Sequence, residues 1–283
     1  MSDSADIPPV GQTAIGVAAI RAAESAGPDP LFSDPLAASF VRATGLAHQS
    51  EAEAAKRDLT SLRRWVAIRT RFLDEVVIDA CGQGCRQFVI LGAGLDARAY
   101  RLGWPPGVRL YELDLPAVLA FKAQVLASEF LEPRCERVTV PTDLNGDWGT
   151  ALDEAGFDPG RPTGWLAEGL LAYLTSEAAD ALVTAAAQRS VNGNRFGLTL
   201  ASVERLRSWR EAHPDGSDPH DYVALWRSAA PENAVEWLGS KGWQATVFSV
   251  CERSAAYGRP FDDPDDSRPD ARLVDAVRVG VPS

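Results

Sequence analysis

Histidine is scarce in this chain of 283 residues: there are three, His48, His213 and His220. Cysteine is nearly as scarce, with Cys81, Cys85, Cys135 and Cys251. The segment "CGQGC" sets two thiols four positions apart, but the further ligands at regular spacing that a metal site needs are missing. The pair reads as two thiols near a helix C-terminus, and no metal is expected. Basic residues are in deficit, 28 Lys and Arg against 39 Asp and Glu, for a formal net charge of −11. An acidic surface repels phosphate backbones, so a nucleic-acid partner is not expected. No apolar run approaches the ~20 residues of a membrane span. The start, "MSDSADIPPV", has no basic stretch followed by an apolar one, so no signal peptide and a cytoplasmic location are expected. No internal repeat is visible.

What is present is an ordinary globular composition, 46% hydrophobic and 24% charged, enough for one large α/β domain. Residues 1–85 read as a helical cap. "TAIGVAAIRAAESAG" stops at Gly27-Pro28, "DPLAASFVRATG" begins on Asp34-Pro35, and "SLRRWVAIRTRFLDEVVIDACGQG" carries apolar residues near a 3.6 period. Residues 86–203 then alternate strand-like and helix-like segments. The strands are "RQFVILGAG", "VRLYELD", "RVTVPTDL", "GWLAEGLLAYL" and "RFGLTLAS", which predicts a parallel sheet covered by helices on both faces. Residues 204–231, rich in Trp and Arg and broken by proline, read as a lid insertion. Residues 232–283 complete the core with a helix and the strands "QATVFSVCE" and "ARLVDAVRVGV".

The chemistry concentrates in "QFVILGAGLDARAYRL", Gln87 to Leu102. Glycines at 92 and 94, just past an apolar strand, let the backbone turn tightly and approach a ligand closely. Asp114 ends the next strand, where a carboxylate can accept hydrogen bonds from both ribose hydroxyls. Asp143 ends the third and Glu168 lies at the end of the fourth. "GAGLDA" also satisfies a dinucleotide fingerprint, so a nicotinamide dinucleotide and S-adenosylmethionine compete. No Tyr/Lys pair at helical spacing and no His/Asp pair suits a hydride-transfer site. Asp96, Arg98 and Arg101 read as residues that cap and solvate the helix after the turn.

The segments "TAIGVAAIRAAES", "LFSDPLA", "IRTRFLDE", "VILGAGLDARAYRL", "YELDLPAVLAFK", "TDLNGDW" and "AEGLLAYL" run in this order from Thr13 to Leu174. With them the sequence resembles the leucine carboxyl methyltransferase-like group of class I S-adenosylmethionine-dependent methyltransferases, and within it an actinobacterial branch of O-methyltransferases. The resemblance implies a seven-stranded, mostly parallel Rossmann-like sheet with a helical N-terminal region and a helical lid, all in one methyltransferase domain spanning 1–283. It implies that Arg69 grips the cofactor's methionine carboxylate bidentately, with Arg71 the lesser candidate. Gly92 and Gly94 would lie along the methionine part, Asp114 on the ribose, and Asp143 and Leu144 around the adenine. Glu168 would meet the methionine amino group or border the substrate, and Arg21 would be a basic neighbour of the carboxylates.

The expected reaction is O-methylation of a small molecule, preferably at a carboxylate, which is ionised near pH 7 and needs no base. A phenol acceptor would instead call on His213 or His220. Trp209, Tyr222 and Trp226 are candidates for an apolar acceptor pocket. The alternatives are a protein C-terminal carboxylate as acceptor, an NAD(P)-dependent dehydrogenase, and a cofactor-binding scaffold without turnover.

Overall fold

The computed structural model describes residues 9–45, 60–213, 222–229, 231–260 and 271–280. His48 and His220 lie outside the described residues. Among the described residues, three helices precede the sheet: α1 (Pro9–Ser25), α2 (Ala37–Ala43) and α3 (Thr60–Gly82). Then follow β1 (Gln87–Leu91), α4 (Arg98–Arg101), β2 (Arg109–Asp114), α5 (Pro116–Ser128), β3 (Glu136–Pro141), α6 (Trp148–Glu154) and β4 (Thr163–Ala167). After these come α7 (Ser176–Gln188), β5 (Arg195–Leu200), α8 (Val203–Ala212), α9 (Ala234–Gly239), β6 (Trp243–Ser249), α10 (Val250–Ala256) and β7 (Arg272–Arg278).

The seven strands form one sheet in the order β3-β2-β1-β4-β5-β7-β6. β1 pairs in parallel with both β2 and β4, and β7 is antiparallel to β5 and β6. All five residues of β1 are buried, as a central parallel strand covered on both faces requires. Side chains alternate between the two layers. Phe88 and Ile90 join the core beneath α1, α2, α3 and α5. Val89 and Leu91 join the core beneath α6, α7 and α9. Chain order reverses between β1 and β4, so a crevice opens where their carboxyl ends part. The register puts Leu166 opposite Ile90, so Gly92 and Glu168 leave the sheet side by side.

Two local expectations are corrected, and one element is new. The fourth strand ends at Ala167 and does not run on through "EGLLAYL". Gly169 turns the chain at a φ of +65°, and Leu171–Tyr173 form a 3-10 turn. The segment "SVCE" is not strand: Ser249 and Glu252 make a reciprocal capping box that starts α10. α6 was not foreseen; Asp147 caps it by accepting from the Thr150 N–H.

Within 204–231 the described residues hold most of α8, a 3-10 turn at Tyr222–Leu225 and an irregular stem after it. The stem beyond that turn is tied to the chain following β4. The N–H groups of Arg227 and Ser228 donate to the Ala172 carbonyl at 2.7 and 3.2 Å. No helix among the described residues is long and apolar enough to cross a membrane. All four cysteines are free thiols. Burial pushes the Cys81 thiol up to about 11 and Cys135 up to about 12, which leaves both protonated and unreactive near neutrality. Among the described residues no group of His, Cys, Asp and Glu is placed to hold a metal ion.

Candidate active site

Glu168 leaves β4 into a cluster of arginines. Arg21 of α1 donates from Nη2 to its Oε1 at 2.7 Å, and Arg69 of α3 donates from Nε to the same oxygen at 3.1 Å. Arg98, in the turn after β1, sets Nη2 2.8 Å from Oε2 as an ion pair without hydrogen-bond alignment. The side chains of Glu168, Arg21 and Arg98 are 6, 8 and 0% exposed. Buried charges at such a density persist only when paired.

Here the reading of Asp96, Arg98 and Arg101 as a solvated cap fails. Arg98 lies at the centre of the network, pairing with Asp96 and donating from Nε to Asp74 at 2.8 Å. Arg101 clasps Asp74 bidentately at 2.6 and 2.7 Å. Asp74 and Asp96 thus pair with Arg98 and Arg101, while Arg21 and Arg69 converge on one oxygen of Glu168. Asp34 faces Arg21 from the segment before α2. Neither Asp74 nor Asp96 figured among the expected site residues. The sequence signal was slight: Asp74 interrupts the apolar stripe of α3 between Leu73 and Val76.

The electrostatics follow the geometry. Burial works to raise the Glu168 carboxyl, but Arg21, Arg98 and Arg69 together outweigh it and hold the group well below the usual carboxylate range. Asp96 is likewise held low, burial being overcome by Arg98, Arg21 and Arg101. Asp114 is raised: burial exceeds the help of its two backbone donors. Those donors are the Gly94 N–H at 2.6 Å and the Leu115 N–H at 2.7 Å. A carboxylate has about four acceptor positions, so Asp114 keeps capacity for a ligand.

The glycine turn runs beside this carboxylate. Gly92 has φ +66°, and a Cβ there would sit 2.9 Å from Leu170 Cδ1. Gly94 has φ +48°, with the Ala14 Cβ of α1 3.2 Å from where its own Cβ would be. Asp143 is exposed just past β3 and accepts from the backbone and side-chain nitrogens of Asn145, each at 2.9 Å, while Leu144 beside it is buried.

Arg69 and Arg71 part company. Arg69 lies 5.7 Å above the Trp65 ring with Tyr173 close enough to act on its charge. Arg71 is exposed and donates to Glu75 at 2.8 Å and to the Leu31 carbonyl. Tyr173, five positions after Glu168, was not singled out in the sequence. His213 ends α8 with its ring stacked on Trp209 at 5.0 Å and its Nδ1 3.1 Å from the Trp209 carbonyl oxygen. Tyr222 and Trp226 meet edge-on at 5.7 Å, and Arg205 lies 5.4 Å from the Tyr222 ring.

An acidic side chain among guanidiniums, beside a glycine turn and a strand-end aspartate, can hold an amino-acid zwitterion joined to a ribose. A family profile described as leucine carboxyl methyltransferase matches residues 14–187, which covers the glycine turn, the three acids Asp114, Asp143 and Glu168, and the three arginines on Glu168. The chain belongs to the leucine carboxyl methyltransferase family. It is 45% identical over 281 residues to a Frankia alni protein named as a candidate S-adenosyl-L-methionine-dependent methyltransferase, with 95% of each chain covered. A Streptomyces coelicolor protein named in the same way is 43% identical over 274 residues, again with 95% of each covered. A solved DUF574 family protein from Streptomyces avermitilis shares the fold, with a TM-score of 0.57, 16% identity, and 93% and 97% of the two chains covered. The family member described here is an S-adenosylmethionine-dependent methyltransferase, and the dinucleotide alternative falls.

Proposed function

We propose that this methyltransferase, acting through the whole chain as one catalytic unit closed by the 204–231 lid, methylates a carboxylate oxygen of a small organic acid in the cytoplasm, in secondary metabolism. The observation that carries this reading is the pair of guanidiniums, Arg21 and Arg69, sharing a single carboxylate oxygen. With Arg69 taken by the cofactor's carboxylate, Arg21 remains for an incoming acid, and no histidine lies beside Glu168 among the described residues.

The residues fit the methyl donor. The Nε of Arg21 is buried without a partner, and Asp114 retains acceptor positions beside a turn that lacks Cβ atoms. S-adenosylmethionine, when bound, supplies an electrophilic methyl group on a sulfonium. Arg69 holds the amino-acid carboxylate, and Glu168, kept ionised by its arginines, receives the ammonium. Asp114 accepts from the ribose hydroxyls, and Asp143 and Leu144 frame the adenine. Gly92 and Gly94 allow the close approach. Trp209, Tyr222 and Trp226 shield the acceptor side from water, which leaves alignment of the acceptor oxygen as the main catalytic task.

Two expectations follow for variants. Arg69→Lys should weaken S-adenosylhomocysteine binding in calorimetry nearly as much as Arg69→Ala, because the planar fork is lost in both. Arg71→Ala should leave binding within about twofold, since a surface ion pair contributes little. An equal loss for Arg71→Ala would show that the wrong arginine carries the role.

The carboxylate reading is tested by pH and by His213. kcat should stay flat from pH 7 upward, and His213→Ala should keep it within about tenfold, below the 10²–10⁴ of a general base. A rise of kcat through an ionisation near pH 6–7, abolished by His213→Ala, would favour a phenol acceptor.

A further inference from the structure

A cavity lies at the carboxyl ends of β4 and β5, lined by residues that follow Glu168 in the chain. It encloses about 290 Å³ between the Leu171–Tyr173 turn, the end of β5, and the stem leading into α9. Leu171, Ala172, Ala179, Leu200, Ala201 and Trp237 give it apolar walls, and Ser176, Ser228 and Glu232 add polar groups to the lining. Trp237 is fixed by its Nε1 donating to Asp180 at 2.9 Å. The two polar residues at the rim, Ser176 and Glu232, are exposed.

One stretch of chain links the reaction zone to the cavity wall. Glu168 binds the arginines, Leu170 fills the space beside Gly92, and Leu171 and Ala172 line the cavity. The same stretch anchors the stem that closes the cavity: Ser228 donates from its Oγ to the Leu171 carbonyl at 3.2 Å, and its N–H donates to Ala172. Glu232 at the rim repels an acid head group there, so a carboxylate faces away from the rim, toward Arg21, the guanidinium on Glu168 that the cofactor's carboxylate leaves over. At interior packing density, about 0.74, the space holds roughly a dozen carbon-sized groups.

We infer that this cavity takes the tail of the methyl acceptor, and that the acceptor is a monocarboxylic acid with an apolar tail of about nine to twelve carbons, seated against Trp237 with its carboxylate left at the Glu168 end. This rests on the carboxylate reading above and adds the substrate's shape to it. Trp209, Tyr222 and Trp226 do not line this cavity; they belong to the approach.

The test compares decanoate with acetate as acceptors for the full chain with S-adenosylmethionine. Decanoate should give methyl ester with a kcat/KM at least about 100-fold above acetate, since each buried methylene favours it severalfold. Ala201→Phe and Ala179→Phe, which fill the cavity from two sides, should each cut that advantage below about tenfold. Both should leave S-adenosylhomocysteine affinity within about threefold, the sign that the fold survives. If decanoate keeps its full advantage in both variants, the cavity is not the tail site and the inference is overturned, while the carboxylate reading stands. If no acid is esterified but decanoate still shifts a fluorescence signal that Trp237→Phe removes, the tail site stands and the carboxylate reading falls. Neither ester nor fluorescence shift with decanoate would overturn the inference outright.

Discussion

Glu168→Gln should cost more stability than any other single change at the site, about 3–5 kcal/mol, because it leaves buried guanidiniums without their anion. For a chain of this size that is a fall in Tm on the order of 10 °C. The loss should depend on pH with a definite sign. The Glu168 carboxyl is depressed in the folded protein, so its contribution is fully present above the unfolded glutamate value, near 4.3. It is lost as pH falls through the lower folded value. The wild-type Tm should therefore drop on acidification below about pH 4, and the glutamine variant should show a shallower fall over the same range. Asp114 works in the opposite sense, since burial raises it, and protonating it favours the folded state. A Tm within about 2 °C of wild type at pH 7 would show that Glu168 does not organise the arginines.

Asp114→Ala should act on the ligand more than on the fold. A hydrogen bond to a charged acceptor contributes roughly 1.5–3 kcal/mol, so S-adenosylhomocysteine should bind about 10- to 150-fold more weakly. Asp114→Asn should recover part of the loss, since an amide oxygen still accepts but without charge. Because the carboxyl is raised, affinity in the wild type should also decline at acid pH as Asp114 takes up a proton, and this decline should vanish in the alanine variant. Calorimetry at pH 7 and pH 5 measures both effects. Unchanged affinity in Asp114→Ala would place the ribose elsewhere.

The sheet was legible because its signals are local. An apolar run of five residues closed by glycine, as in "QFVILGAG", has few readings other than a buried parallel strand, and the acids at 114, 143 and 168 mark where strands stop. The reversal of strand order between β1 and β4 could be expected from the alternation, and it is what brings Gly92 and Glu168 together. The interior of the site was less legible. Arg98 and Arg101 stand three apart after a turn and look like solvent-facing residues; burial depends on Asp74, 24 positions away on α3, which no local pattern pairs with them. Arg21 is the reverse case. Nothing in α1 marks it out, but family resemblance put a basic residue there, and the fold brings it onto Glu168. The continuation of β4 failed because Gly169 was read as part of an apolar run and not as the left-handed residue that ends it. α10 was hidden by a β-rich run, "ATVFSV", whose last Ser begins a capping box.

The transfer to a carboxylate is tested most directly by the product. S-adenosylmethionine labelled in its methyl group is incubated with the full chain and an acid acceptor such as decanoate, and the isolated product is treated with mild alkali. The label should leave as methanol, because methyl esters hydrolyse under these conditions. A labelled product that survives the alkali intact is an ether or an amine, and would contradict carboxylate methylation.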